Sequence, residues 1–130
     1  MNAEDDKRIL LVDDEEGIRK VLGISLEDLG YQVAFASDGI QALKLYREHQ
    51  PPIVITDIKM PAMDGIDLLK NIKAENPDTE VIMLTGHGDM DLAIECLKLE
   101  ATDFITKPIN DDVLNIALRR AQERIQMRRQ

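Results

Sequence analysis

Three carboxylates, a hydroxyl and an ammonium in this chain each follow directly on a short apolar run. Ile9-Leu10-Leu11-Val12 leads into Asp13-Asp14, and Ile53-Val54-Ile55-Thr56 leads into Asp57. Val81-Ile82-Met83-Leu84 leads into Thr85, and Phe104-Ile105-Thr106 into Lys107. Runs this short and this rich in β-branched residues read as buried parallel strands rather than helices. Laid side by side, their C-terminal ends gather the five groups in the crevice where open α/β sheets place their sites. Carboxylates so close repel one another unless a cation sits among them. An all-oxygen set favours a hard ion, and Mg²⁺ suits one or two carboxylates completed by waters and phosphate oxygens. Asp57, single and central, is placed to attack a phosphoryl group and form an aspartyl-phosphate. Lys107 would neutralise charge on that group and Thr85 would donate to one of its oxygens, since phosphoryl transfer is mostly positioning and neutralisation. In isolation Asp13-Asp14-Glu15-Glu16 is equally a solvated acidic turn. Convergence with Asp57 and Lys107 is what gives it chemistry.

The segments that must position these groups have helical period. After Asp14, the residues Ile18, Val21, Leu22, Leu26 and Leu29 form one apolar face, closed by Gly30. Tyr31 to Ala36 alternates and reads as a further strand. Ser37-Asp38-Gly39 starts a helix with Ala42, Leu43 and Tyr46 inward, and Pro51-Pro52 forbids its continuation. A turn from Lys59 to Gly65 precedes a helix with Ile66, Leu69 and Ile72 inward, broken at Asn76-Pro77-Asp78. The loop Gly86-His87-Gly88-Asp89 precedes a helix presenting Leu92, Ala93, Cys96 and Leu97. Asn110 caps the last helix, whose face is Leu114, Ala117, Leu118, Ala121 and Ile125. Strand and helix thus alternate five times, which predicts an α/β (βα)5 doubly wound parallel sheet of flavodoxin-like order 2-1-3-4-5. Its switch point falls between strands one and three, at Asp13-Asp14 and Asp57.

Bulk properties narrow the partners. At 130 residues the chain makes one domain with a real core. The net charge of −9 argues against direct nucleic-acid binding. No apolar stretch approaches the roughly 18–20 residues that span a bilayer. The polar Met1 to Arg8 is unlike a signal peptide, so the expected compartment is the cytoplasm. The single Cys96 excludes an internal disulfide and reads as a small buried hydrophobe. The charge is uneven: Arg119, Arg120, Arg124, Arg128 and Arg129 stand against Glu123 near the C-terminus.

The segments LLVDDEE, ITDIKMPAMDG, VIMLTGHGD and ATDFITKP, in this order, resemble the receiver domain of two-component response regulators. The resemblance covers residues 8 to 122, and while each motif is weak, the four in order are highly specific. It implies a CheY-like fold with Asp57 as phosphoacceptor. The implied Mg²⁺ ligands are Asp14, Asp57 and the backbone carbonyl of Lys59, with Asp13 acting through water. Lys107 matches the family's lysine and Lys107-Pro108 its cis peptide. Thr85 and Phe104 match the switch positions, Thr85 moving toward the phosphoryl group and Phe104 turning inward across the helix 4–strand 5–helix 5 face. Lys59 and His87 occupy variable flanking positions that bear on the lifetime of the modified form. The implied partner is a histidine kinase or phosphotransfer protein, and the domain is a phosphorylated signalling module rather than an enzyme acting on a separate substrate.

One departure is visible. Glu100 stands where the family usually has a glycine in left-handed conformation, so either it costs roughly 1 kcal/mol or the helix closes differently, a local adjustment near the output face rather than a loss of function. Two rivals fit worse. A haloacid-dehalogenase-type phosphatase wants a second Asp two after the nucleophile, where this chain has Lys59. A flavodoxin wants a phosphate-cradling loop where this chain has Asp13-Asp14-Glu15-Glu16. The spacing Leu114, Leu118, Ala121, Ile125 is that of a coiled-coil seam, or of the last helix packing on the sheet. The expectation is one receiver over 1–130, with 123–130 a basic helical extension leading toward an output domain. The domain then belongs to a larger regulator or hybrid sensor kinase and can pair with a second copy when phosphorylated. A standalone receiver acting by protein–protein contact is the alternative.

Overall fold

The computed structural model describes residues 5–129. A short 3₁₀ turn, Asp5–Lys7, leads into β1 (Arg8–Val12), α1 (Glu16–Asp28), β2 (Gln32–Ala36), α2 (Gly39–His49) and β3 (Ile53–Asp57). Then come α3 (Gly65–Glu75), β4 (Glu80–Thr85), α4 (Met90–Lys98), β5 (Asp103–Thr106) and α5 (Asp111–Arg128). The five strands are parallel, in the order β2-β1-β3-β4-β5 that the alternation predicts.

Alternation along each strand builds two cores. Ile9 and Leu11, with Ile53, Ile55, Ile82 and Leu84, face α1 and α5. Leu10 and Val12, with Val54, Val81 and Met83, face α2, α3 and α4. A strand covered on both sides must be apolar at successive positions, which is why these runs show no polar alternation. β2 lies at the sheet edge and is largely exposed, in keeping with its mixed sequence. Helix starts follow the caps: the Asp38, Asp64 and Asn110 side chains accept from Gln41 N, Asp67 N, and Asp112 N and Val113 N.

Two helix faces differ from expectation. In α1 only Leu22 and Leu26 are fully buried among the predicted apolar residues, while Val21 is 68% and Leu29 42% exposed. At 100° per residue, Leu22 and Leu26 centre the buried stripe and Val21 falls about 100–140° from them, on the outer surface. Leu29 lies past the last helical turn. In α4 the same geometry buries Ala93 and Cys96 and leaves Leu97 partly outside.

α1 and α4 close in the same way with different residues. Gly30 N donates to Glu27 O and Tyr31 N to Leu26 O, with Gly30 at φ +95. Glu100 N donates to Leu97 O and Ala101 N to Cys96 O, with Glu100 at φ +73. Both are Schellman closures, and Ala101 packs in the same core cluster as Cys96. Glu100 therefore adopts the left-handed conformation the motif demands despite its Cβ.

The end of α5 is built into the domain. Leu114, Leu118, Ala121 and Ile125 are all buried against the sheet, so the 4-3-4 spacing through Ile125 reports internal packing. Its arginines meet buried acids at the sheet's N-terminal end. Glu80, missed as a core acid in the sequence, is fully enclosed and faces Arg124 Nε at 2.8 Å and Arg128 NH2 at 2.7 Å. Thr102 Oγ1 also donates to it at 2.7 Å. Arg129 pairs with the buried Asp6. Of the expected extension, Gln130 lies outside the described residues, as do residues 1–4 at the other end.

Replacing Glu100 by Gly is expected to stabilise the domain by about 1 kcal/mol by relieving the left-handed conformation. A urea titration should show a higher midpoint at unchanged m-value. Removing both arginines, Arg124→Ala with Arg128→Ala, leaves Glu80 buried without its two ion pairs and should cost about 3 kcal/mol in the same assay.

Candidate functional site

The C-terminal ends of β1 and β3 bring two of the predicted carboxylates, Asp13 and Asp57, onto the predicted ammonium, which follows β5. Lys107 Nζ lies 2.9 Å from Asp13 Oδ2 and 3.0 Å from Asp57 Oδ2, with Glu15 Oε1 at 4.0 Å. Asp13 is wholly buried, Asp57 nearly so, and Asp14 is exposed. Asp13 Oδ1 accepts from Glu15 N at 2.9 Å, and Arg19 NH1 donates to Asp13 O at 2.7 Å. The acidic run is thus a folded turn that points its first carboxylate inward.

Parallel pairing sets the geometry. Val12 pairs with Thr56, so Asp13 and Asp57 emerge side by side at the ends of neighbouring strands. Gly65 holds the backbone there: its N–H donates to Ile58 O at 2.7 Å, and a Cβ on it would collide with Asp57 O. The Lys107–Pro108 bond is cis.

Electrostatics make the pocket ready for a cation. Burial pushes the Asp57 carboxyl above the ordinary aspartate range; Lys107 and the Ile58 N–H oppose that, and the Asp13 charge adds to it. Burial works against the charge on Lys107 too, but hydrogen bonds and charges from Asp13 and Asp57 outweigh it and raise its pKa. Carboxylate oxygens of Asp13, Asp14 and Asp57 lie within 4.8 Å of one another, so the three could hold a metal ion. Asp14 makes no ion pair among the described residues, and the single ammonium leaves three carboxylates undercompensated. A hard divalent ion fits this donor set.

The remaining predicted residues stand apart from the carboxylates. Thr85 is buried, and its hydroxyl donates to Ile105 O at 3.4 Å, toward β5 rather than toward Asp57. Phe104 is half-buried against the core on the α4 side. His87 is exposed and lines, with Lys107 and Pro108, an apolar groove along Ile18 and Val21 of α1. Lys59 does not turn into the pocket; its Nζ lies 2.8 Å from Asp89 Oδ1. In the sequence Asp89 is only the last residue of a loop, and no local pattern marks it as a partner for a lysine thirty positions earlier.

An α/β domain with a lysine-bridged acidic pocket at its switch point is defined by this fold and site. The chain belongs to the response regulator receiver domain family, whose model matches residues 9–119. It is 42% identical over 113 residues to the transcriptional regulatory protein ZraR of Klebsiella oxytoca, covering 87% of this chain and 26% of that protein. It is 36% identical over 123 residues to the regulatory protein AtoC of Escherichia coli K12, covering 95% of this chain and 27% of that protein. The chain therefore spans about a quarter of the length of these relatives. A response regulator receiver domain protein from Clostridium thermocellum superposes with a TM-score of 0.89 at 38% identity, covering 92% of this chain and 97% of that one. No described helix is long and apolar enough to cross a membrane.

Lys107→Met should destabilise the cation-free domain by about 3 kcal/mol, because Asp13 and Asp57 then face each other buried without compensation. A divalent cation should restore part of that loss and raise the melting temperature of the variant more than that of the wild type. Thermal melts with and without Mg²⁺ measure both.

Proposed function

We propose that this receiver accepts a phosphoryl group on Asp57 from a phosphohistidine of a histidine kinase or phosphotransfer protein, and that the modification switches its α4–β5–α5 face. The observation that carries the reading is the Asp57 carboxylate on the central strand, bonded to Lys107 beside Asp13 and Asp14. An Asp57 carboxylate oxygen attacks phosphorus, an oxygen–phosphorus bond forms, and the donor's nitrogen–phosphorus bond breaks. Lys107 keeps its proton and holds both Asp57 and the incoming phosphoryl oxygens. Asp13, Asp14, Asp57 and the Lys59 backbone carbonyl are the groups that would hold Mg²⁺. When bound, the ion supplies charge neutralisation on the transferred group.

The switch follows from the arrangement of Thr85. Its long bond to Ile105 O is weak, and a phosphoryl oxygen is a stronger, charged acceptor. Movement of the hydroxyl toward Asp57 opens space beside β5 into which Phe104 turns, biasing a two-state packing. Lys59 and His87, at the mouth, tune how long the modified form lasts. The chain catalyses only its own phosphorylation and dephosphorylation and works in the cytoplasm. It is the receiver of a longer regulator or hybrid kinase, and α5, packed on the sheet through Ile125, leads toward the output domain. Phosphorylation-dependent pairing of two copies is part of the reading; binding of nucleic acid by this domain is not.

Incubation with acetyl phosphate and Mg²⁺ should give one phosphoryl adduct by intact mass, lost on chelation of the metal and absent from Asp57→Asn. An unmodified wild type, or an equally modified Asp57→Asn, would refute the assignment. Size-exclusion chromatography of the same samples reads the pairing.

A further inference from the structure

The β3–α3 and β4–α4 loops are tied together by one carboxylate. Asp89 stands at the N-cap position of α4, yet its side chain caps nothing in the first turn. Its Oδ2 instead accepts from Gly86 N at 3.3 Å, and its Oδ1 holds Lys59 Nζ at 2.8 Å. The Asp89 side chain is 11% exposed and that of Lys59 69%, so a long solvated cation is fastened to a fixed anion. Lys59 lies two residues after Asp57, and Gly86 directly follows Thr85. Both loops that meet a modified Asp57 are therefore attached to the same group. The pairing leaves its mark on both partners: it raises the Lys59 pKa and lowers that of Asp89.

We propose that Asp89 is a positioning residue that competes with a phosphoryl group on Asp57 for the Lys59 ammonium, and so sets how favourable the modified state is. The inference rests on the assignment of Asp57 as acceptor. A lysine ammonium is a compact charge on a flexible stem. Its pairing at an exposed position is weak enough to be exchanged. A phosphoryl group offers several charged acceptor oxygens and draws the ammonium across. Whatever Lys59 gains from Asp89 in the unmodified state is lost in that exchange and counts against the modified state. Once Lys59 has left, Asp89 holds Gly86 alone, and the backbone after Thr85 loses its link to the acceptor loop.

Asp89→Asn separates the two bonds, because the amide oxygen still accepts from Gly86 N while the charge that holds Lys59 is gone. The readout is affinity for beryllium fluoride in the presence of Mg²⁺, a non-covalent phosphoryl mimic, measured by calorimetry on the full chain. Asp89→Asn should bind it about three- to fivefold more tightly than wild type, the size of one surface ion pair. Its acetyl-phosphate adduct should last correspondingly longer. In a Lys59→Met background, adding Asp89→Asn should change neither quantity. Equal affinity in Asp89→Asn and wild type, or an equal gain without Lys59, overturns the proposal while leaving Asp57 as acceptor. A wild type that binds no beryllium fluoride and takes no phosphoryl group overturns both.

Discussion

The bond from Lys107 to both Asp13 and Asp57 is the constraint around which this domain is arranged. Two carboxylates buried side by side are unstable as a pair of anions, and one ammonium between them removes only part of the repulsion. The protein places that ammonium just after β5, so the charge balance joins the ends of three strands that are not all neighbours. Asp14 remains outside the bridge, and the pocket keeps a net negative charge ready for a second cation. Stability and chemistry are coupled here, because the crowding that makes the pocket costly without a cation is what makes it receptive to one.

The hydrophobic sheet makes this tolerable. Three central strands buried on both faces supply two cores, and the polar groups appear only where the strands end. Apolar burial at about 25 cal/mol per Å² is non-directional and sets no particular residue opposite another. Parallel register does that: the pairing of Val12 with Thr56 and of Thr85 with Thr106 carries the following residues into the same crevice. Close approach at Gly65 then fixes the backbone around Asp57.

Opposite ends of the sheet solve the same electrostatic problem differently. At the C-terminal end, acids from the ends of β1 and β3 share the lysine that follows β5. At the N-terminal end, Glu80 and Asp6 are enclosed with arginines from the last turns of α5. The arginines that look like a free basic tail in the sequence are therefore largely neutralised within the domain, and α5 leaves as a packed helix. Such buried pairs are weak evidence for net stability but strongly disfavour loss of either partner.

The sequence by itself determined the strands, the caps at Asp38 and Asn110, the five-fold alternation, the sheet order and the meeting of Asp13, Asp14, Asp57 and Lys107 in one crevice. These are legible because strand burial, capping and punctuation act through near neighbours, and because a βα repeat allows few topologies. That Glu100 takes the left-handed conformation, rather than closing the helix differently, only the structure decided. Only the tertiary structure decided which side of α1 turns inward, that Ile125 belongs to the core, that Arg124 and Arg128 serve Glu80, and that Lys59 turns away from the pocket to Asp89. Each of these depends on a partner dozens of residues away, and helical period constrains a stripe without saying where the sheet beneath it stops. Charges find their partners through space, at distances that sequence separation does not encode.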